Sequence, residues 1–328
     1  MNRLTTSPTI GGGVTAGAAT GAAIGVAGAM GGVAAGATTS TENSSNTDST
    51  RVNAPKDSVR LHIDDSGGSG RPVVLIHGWP LSAQAWAAQV PVLKAAGYRV
   101  VAYDRRGFGR SDKPESSYSY DVLADDLQRV IDQCKLQDVT LVGFSMGGGE
   151  VARYITRHGE SRLRSVVFAA AVPPCLMKSA DNPDGPLTPE MAQEKKSGLE
   201  KDRDTYFEEF SQAFFSANGV LQVTESQRKE AITVCHQSAQ FAALACMDSF
   251  STTDFRADLK KVTVPTLVIH GEADAIVPFE GSGQLIHRAV PHSQLVTVKD
   301  APHGLNVSHA QQFNDALLAF LKDAWLQV

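Results

Sequence analysis

An α/β fold is what this sequence predicts: a mostly parallel central sheet with helices on both faces and a helical cap inserted into it. Three observations carry the prediction. From Val59 onward, short apolar runs alternate with segments of helical period. The runs, among them "PVVLIHG" and "VPTLVIHG", are continuously apolar, which suits strands covered on both faces better than half-exposed ones. Between 172 and 255 the alternation stops, and prolines and phenylalanines take its place.

The first strands are expected in "VRLHID" and "PVVLIHG", and the next in "RVVAYD". Tyr120 to Leu136 carries Leu123, Leu127, Val130, Ile131 and Cys134 on one stripe, the spacing of a helix. "VTLVG" then predicts a strand that stops at Gly143, and "LRSVVFAAAV" the strand after it. Pro173, Pro174, Pro183, Pro186 and Pro189 break the pattern, and short helices follow that carry seven of the thirteen phenylalanines between Phe207 and Phe255. This block reads as a cap, residues 172–255, inserted between two core segments, 52–171 and 256–328. Alternation resumes with "VPTLVIHG", a helix near Leu285, the strand "QLVTV" and an amphipathic helix from His309 to the end.

Residues 1–51 differ in composition and are expected to lie outside the core. Leu4 to Thr41 holds no charged residue and is almost entirely glycine, alanine and small aliphatics, and "TTSTENSSNTDST" reads as a polar linker. Gly13, Gly17, Gly21 and Gly25 would share one helix face, as in small-xxx-small membrane packing, but the stretch is poor in strongly apolar residues. Arg3 and Ala35-Gly36-Ala37 also fit the start and cleavage site of a signal peptide. A disordered leader or an over-extended translation start stands beside these readings. The expected location is cytoplasmic, with export or membrane anchoring through residues 1–41 as the alternative and no other membrane contact expected.

The 328 residues are 42% hydrophobic and 20% charged, enough for a large core, and the net charge of -5 gives no basic footprint for nucleic acid. Cys134, Cys175, Cys235 and Cys246 fit no zinc or redox spacing and read as buried small hydrophobes. No H-E-x-x-H helix or phosphate loop occurs, and Gly107 and Gly109 lack the third dinucleotide glycine. No cofactor and no metal are expected. Neither a heptad nor an apolar surface stripe bears on oligomeric state.

Gly143-Phe144-Ser145-Met146-Gly147 is G-x-S-x-G between an expected strand and an expected helix. Such a turn projects the serine hydroxyl above the sheet and tolerates only minimal side chains two residues away on either side. It also aims the first helical amides, that of Met146 included, at an oxygen gaining negative charge beside Ser145. A serine hydroxyl needs a base, and the base an orienting carboxylate, in the chain order acid then histidine. "LVIHGEADAIVP" places Asp274 beyond one strand and "DAPHGL" places His303 beyond the next, with Glu272 and Asp300 as competing orienters. His77 and His270 end strands and are expected to be packed or hydrogen-bonded, whereas His158, His287, His292 and His309 stand in contexts that suit solvent. A second oxyanion donor is expected in "HGWPLS", where Gly78 permits a tight exit and the amide of Trp79 can point inward.

With "HGWPLS", "YDRRGFGRSDKP", "LVGFSMGGGEVARY", "AAVPP", "TDFRADLKKVTVPTLVIHGEAD" and "APHGL" in this order, the chain resembles the α/β-hydrolase superfamily, in its cofactor-free (non-haem) haloperoxidase and aryl esterase branch. The likeness runs from about Val59 to the C-terminus, and the leader has no counterpart in it. The resemblance implies an α/β-hydrolase fold, a triad of Ser145, Asp274 and His303, oxyanion donors at Trp79 and Met146, and no metal or haem. It implies a small-molecule acyl substrate, and hydrogen peroxide as an alternative to water at the acyl-enzyme. Pro80 fixes its own φ and restricts Trp79, and is expected to set the Trp79 carbonyl where it accepts a bond from peroxide. Epoxide hydrolases and dehalogenases share the "DRRGFGRSDKP" stretch but need an aspartate where this chain has Ser145. A lactonase, an amidase, a carbon-carbon hydrolase and a receptor retaining the triad are the alternative readings.

Overall fold

The buried apolar runs assemble into one seven-stranded sheet in the order β1-β3-β2-β4-β5-β8-β9. Its strands are β1 (Ile63–Asp65), β2 (Pro72–Ile76), β3 (Arg99–Tyr103), β4 (Val139–Phe144), β5 (Leu163–Ala169), β8 (Thr266–Gly271) and β9 (Gln294–Val298), while β6 (Ser216–Ala217) and β7 (Val220–Leu221) pair as a separate hairpin. Only β1 runs antiparallel, against β3; every other pairing in the sheet is parallel. This computed structural model describes residues 59–323, so the expected leader and linker, residues 1–51, lie outside the described residues. Every residue of β4 and β8 is buried, as continuous apolar runs require.

Helices cover the sheet: α1 (Val90–Ala95), α2 (Tyr120–Gln133), α3 (Met146–His158), α4 (Pro189–Lys201), α5 (Arg203–Phe215), α6 (Glu225–His236), α7 (Gln240–Thr252), α8 (Arg256–Leu259), α9 (Gly283–Ala289), α10 (Leu305–Ser308) and α11 (Ala310–Asp323). In α2 the stripe Leu123, Leu127, Val130 and Ile131 faces inward, and the Ser119 hydroxyl accepts from the Val122 amide at the start. The helix ends three residues before the sequence expectation, because Lys135 adopts φ 52° just past the Cys134 cap. The last helix, α11, starts one residue after the expected His309, with a short α10 before it, and β4 runs one residue past Gly143 to Phe144.

Between β5 and β8 the chain leaves the sheet and forms α4 to α7 with the hairpin. Each of the first three of these helices starts at a side-chain cap: Thr188 accepts from Met191, Asp202 from Thr205, and Thr224 with Gln227 makes a reciprocal capping box. Among the described residues no helix is long and apolar enough to cross a membrane. Parallel pairing has one functional consequence: the ends of β2, β4, β8 and β9 emerge at one edge of the sheet, where the loops gather their side chains.

Candidate active site

Ser145 stands between β4 and α3 with φ 54° and ψ −117°, outside the left-handed helical well as well as the right-handed regions. A non-glycine residue held there stores about 1–3 kcal/mol of backbone strain. The surroundings hold it in place: its amide donates to the Ala169 carbonyl (2.8 Å), and its carbonyl accepts from Val172 and Gly148 (both 3.0 Å). The flanking glycines are steric necessities, since a Cβ on Gly143 would stand 2.5 Å from the Gly147 carbonyl oxygen and one on Gly147 would stand 2.6 Å from that of Ile76. Gly148 faces Ala171 and the β5 residue Phe168, so close strand packing explains it. Gly149 instead faces Tyr120 of α2 and Phe255, and its role is helix-to-helix approach rather than strand contact.

His303, in the loop after β9, brings Nε2 to 2.9 Å from Ser145 Oγ and Nδ1 to 2.6 Å from Asp274 Oδ2. All three residues are buried. Asp274 follows β8, and its other oxygen accepts from the amides of Ile276 (2.9 Å) and Val277 (2.8 Å). Burial opposes ionisation of this carboxyl, but the imidazoles of His303 and His270 more than offset it, holding the group well below the usual carboxylate range. The acid is therefore ionised and aimed. Of the competing orienters, Glu272 accepts from Thr297 (2.8 Å) and Asp300 from Asn218 (3.1 Å), and neither bonds His303. The imidazole of His303 is further wedged between Phe144 and Phe214, with ring centroids 5.3 and 5.2 Å away.

The amides of Trp79 and Met146 find no acceptor among the described residues, although both residues are buried. A cavity of about 250 Å³ opens on Ser145, Trp79 and His303, with Leu176, Met247 and Phe250 among its apolar walls. Lys195, Tyr206 and Ser251 add polar side chains to it. One wall is therefore sheet edge and the other inserted helices: Trp79 meets Tyr206, Phe207, Phe210 and Phe250 edge-on at centroid distances of 5.2 to 6.4 Å. Among the described residues no group of three His, Cys, Asp or Glu side chains could hold a metal ion.

One residue of the site is not legible in the sequence. Phe214 packs on His303 and its carbonyl accepts from the Gly304 amide (2.8 Å), yet nothing in a run of cap phenylalanines distinguishes it. His77 and His270 are buried and hydrogen-bonded as expected. His158, His287 and His309 depart from the solvent reading: all three are half-buried, with ring nitrogens at hydrogen-bond distance from Asp125 (2.9 Å), Ser293 (2.8 Å) and Ser308 (2.9 Å), whereas His292 is exposed.

The model of the alpha/beta hydrolase fold matches residues 71–310. A non-heme chloroperoxidase of Kitasatospora aureofaciens is 40% identical over 81% of this chain and 97% of its own length. A bifunctional esterase/perhydrolase of Acinetobacter calcoaceticus is 37% identical over 81% and 98%. The crystal structure of a bromoperoxidase from Bacillus anthracis superposes with a TM-score of 0.79 at 51% identity, covering 80% of this chain and 96% of that one. The chain belongs to the α/β-hydrolase family, in its non-heme haloperoxidase branch.

Proposed function

We propose that this protein is a carboxylic ester hydrolase that forms an acyl-enzyme on Ser145 and passes the acyl group to hydrogen peroxide as well as to water. The carrying observation is the continuous line from Asp274 Oδ2 through His303 to Ser145 Oγ, at 2.6 and 2.9 Å, opening on the cavity. In this reading His303 Nε2 takes the hydroxyl proton as Ser145 Oγ attacks the ester carbonyl carbon, and the carbonyl oxygen becomes anionic beside the Trp79 and Met146 amides. Collapse breaks the bond to the alcohol, which leaves with the proton from His303. Water or peroxide then gives a proton to His303 and attacks the acyl carbon; the bond from that carbon to Ser145 Oγ breaks as His303 returns the proton to the oxygen, releasing acid or peracid, and the peracid transfers oxygen to halide in solution, yielding hypohalous acid and carboxylate. Asp274, ionised and buried, holds the imidazole tautomer and stabilises the imidazolium. The inserted helices serve as a cap that selects the acyl group. Relatives named chloroperoxidase and esterase/perhydrolase at 37–40% identity support both halves of the reading.

The test is turnover of p-nitrophenyl acetate with and without peroxide and bromide. Ester cleavage and peroxide-dependent bromination should both disappear in Ser145→Ala. Absence of turnover on any short acyl ester would overturn the reading; cleavage without bromination would remove its peroxide half.

A further inference from the structure

The amide of Trp79 belongs to the same peptide group as the carbonyl of Gly78, and in a trans peptide the two point in opposite directions. Whatever fixes that carbonyl therefore aims the amide. The Gly78 oxygen accepts from the Leu81 amide (3.0 Å) and stands 2.8 Å from His77 Nδ1. Which ring nitrogen carries the proton is settled by a neighbour: the Arg105 backbone amide donates to His77 Nε2 (3.0 Å), so Nε2 is the acceptor and Nδ1 carries the hydrogen toward Gly78. Arg105 Nη1 lies beside the same Nδ1 at 3.2 Å without an acceptor there, and Arg105 Nη2 donates to the His77 carbonyl (2.6 Å). Both peptide groups flanking Gly78 are thus held. A Cβ on Gly78 would stand 2.8 Å from the Phe144 ring and 3.0 Å from the Ser145 Cβ, so the held segment lies directly against the nucleophile turn.

The brace continues to the other donor. Arg105 Nε donates to Glu150 Oε1 (2.6 Å), and Glu150 Oε2 accepts from the Tyr103 hydroxyl (2.8 Å). Glu150 stands on α3, whose first residue is Met146. Arg105 and Glu150 are both fully buried. Burial works against the Arg105 charge, and the Glu150 carboxylate more than offsets it, keeping the guanidinium above its ordinary value.

We propose that His77 is a positioning residue, which aims the Trp79 amide through the Gly78 carbonyl and is itself registered to α3 by the buried Arg105–Glu150 pair. This rests on the serine-esterase reading above. A hydrogen bond on the carbonyl also polarises the same peptide group, strengthening the amide as a donor. His77 touches no reacting atom; its effect falls on the oxyanion, and hence on kcat and on tetrahedral mimics rather than on ground-state binding.

Two substitutions of similar shape separate the aim from mere packing. His77→Asn keeps a donor at the Nδ1 position and loses the acceptor for Arg105, whereas His77→Gln keeps an acceptor near Nε2 and loses the donor to Gly78. With p-nitrophenyl acetate, His77→Gln should lower kcat by about 10- to 100-fold, less than outright removal of an oxyanion donor, with KM nearly unchanged. It should weaken an arylboronate by a similar factor while binding of the product acid stays constant, and His77→Asn should stay within a few fold of the unmutated protein. Equal effects of the two variants, or a loss confined to KM, would overturn the proposal. If either variant fails to fold, ¹⁵N-histidine spectra of the unmutated protein decide: a protonated Nδ1 and bare Nε2 at His77 support it, and the opposite tautomer overturns it. Absence of Ser145-dependent turnover in the unmutated protein would overturn the esterase reading, and this proposal with it.

Discussion

On the sheet side of the cavity, Ser145, His303 and Asp274 are joined by hydrogen bonds of 2.9 and 2.6 Å, and the loop and helix beside them are tied by a buried ion pair. On the side of the inserted helices, Trp79 meets four rings edge-on, and its one directional tie there among the described residues is the indole Nε1 bond to the Ala243 carbonyl (3.0 Å). Hydrogen bonds and charges fix atoms to fractions of an ångström because they weaken steeply with distance and angle. Ring contacts are weakly directional and repack when one ring changes size. In the proposed function the two walls have different duties: the sheet edge sets the chemistry and the inserted helices select the acyl group, with Phe214 of α5 the one ring among them that also packs on the imidazole of His303 among the described residues.

The sharpest way to break this comparison lies on the sheet side. Ser145→Ala should lower kcat on p-nitrophenyl acetate by about 10⁵- to 10⁶-fold with thermal stability little changed, since alanine removes the nucleophile but keeps the Cβ and with it the strain of the turn. Asp274→Asn should lower kcat by about 10⁴-fold by losing the correct tautomer of His303. It also has a pH signature. The carboxyl is depressed in the folded protein, so its contribution to stability is full above the ordinary carboxylate value and fades as pH falls below it toward the folded value. Melting temperature followed downward from pH 5 should thus fall less steeply in Asp274→Asn than in the unmutated protein. An equal slope would mean that this carboxyl is not the depressed one.

Smaller effects test how far the rigidity extends. Glu150→Ala leaves Arg105 charged and buried without its partner, and should destabilise by about 3–5 kcal/mol in urea unfolding. Gly149→Ala drives a methyl into Tyr120 and Phe255 on the far face of α3, and should destabilise by about 1–3 kcal/mol with kcat changed less than stability. At the bottom of the range, Phe250→Ala on the inserted side should leave kcat for acetate esters within about threefold while improving kcat/KM for bulkier acyl groups, as a pocket wall recedes. If Phe250→Ala instead lowers kcat for every ester alike, the inserted helices take part in the chemistry and the division fails.

Much of the candidate site is legible in the amino-acid sequence. G-x-S-x-G between a strand and a helix demands a serine elbow, and the chain order of Asp274 and His303 left few partners for it. Their legibility has a physical cause: residues at the ends of parallel strands share one edge, so sequence position beyond a buried apolar run already implies spatial position. The same argument did not reach Phe214, because helix-borne rings packed between layers have no such rule and seven phenylalanines compete for the same contacts. Nor does the sequence show that Gly148 meets Ala171 while Gly149 meets Tyr120 and Phe255, since those neighbours lie far along the chain.

Amino-acid order alone therefore determined the α/β architecture, the strained turn at Ser145 and the acid-then-histidine succession, all of which follow from local pattern and the parallel sheet. Tertiary structure decided the rest. That Asp274 rather than Glu272 or Asp300 accepts from His303 depends on the path of one loop. That Arg105 and Glu150, 45 positions apart, meet behind the nucleophile depends on β3 and α3 converging. Partners in such long-range contacts are chosen by the packing of whole layers, and no local window of sequence contains that information.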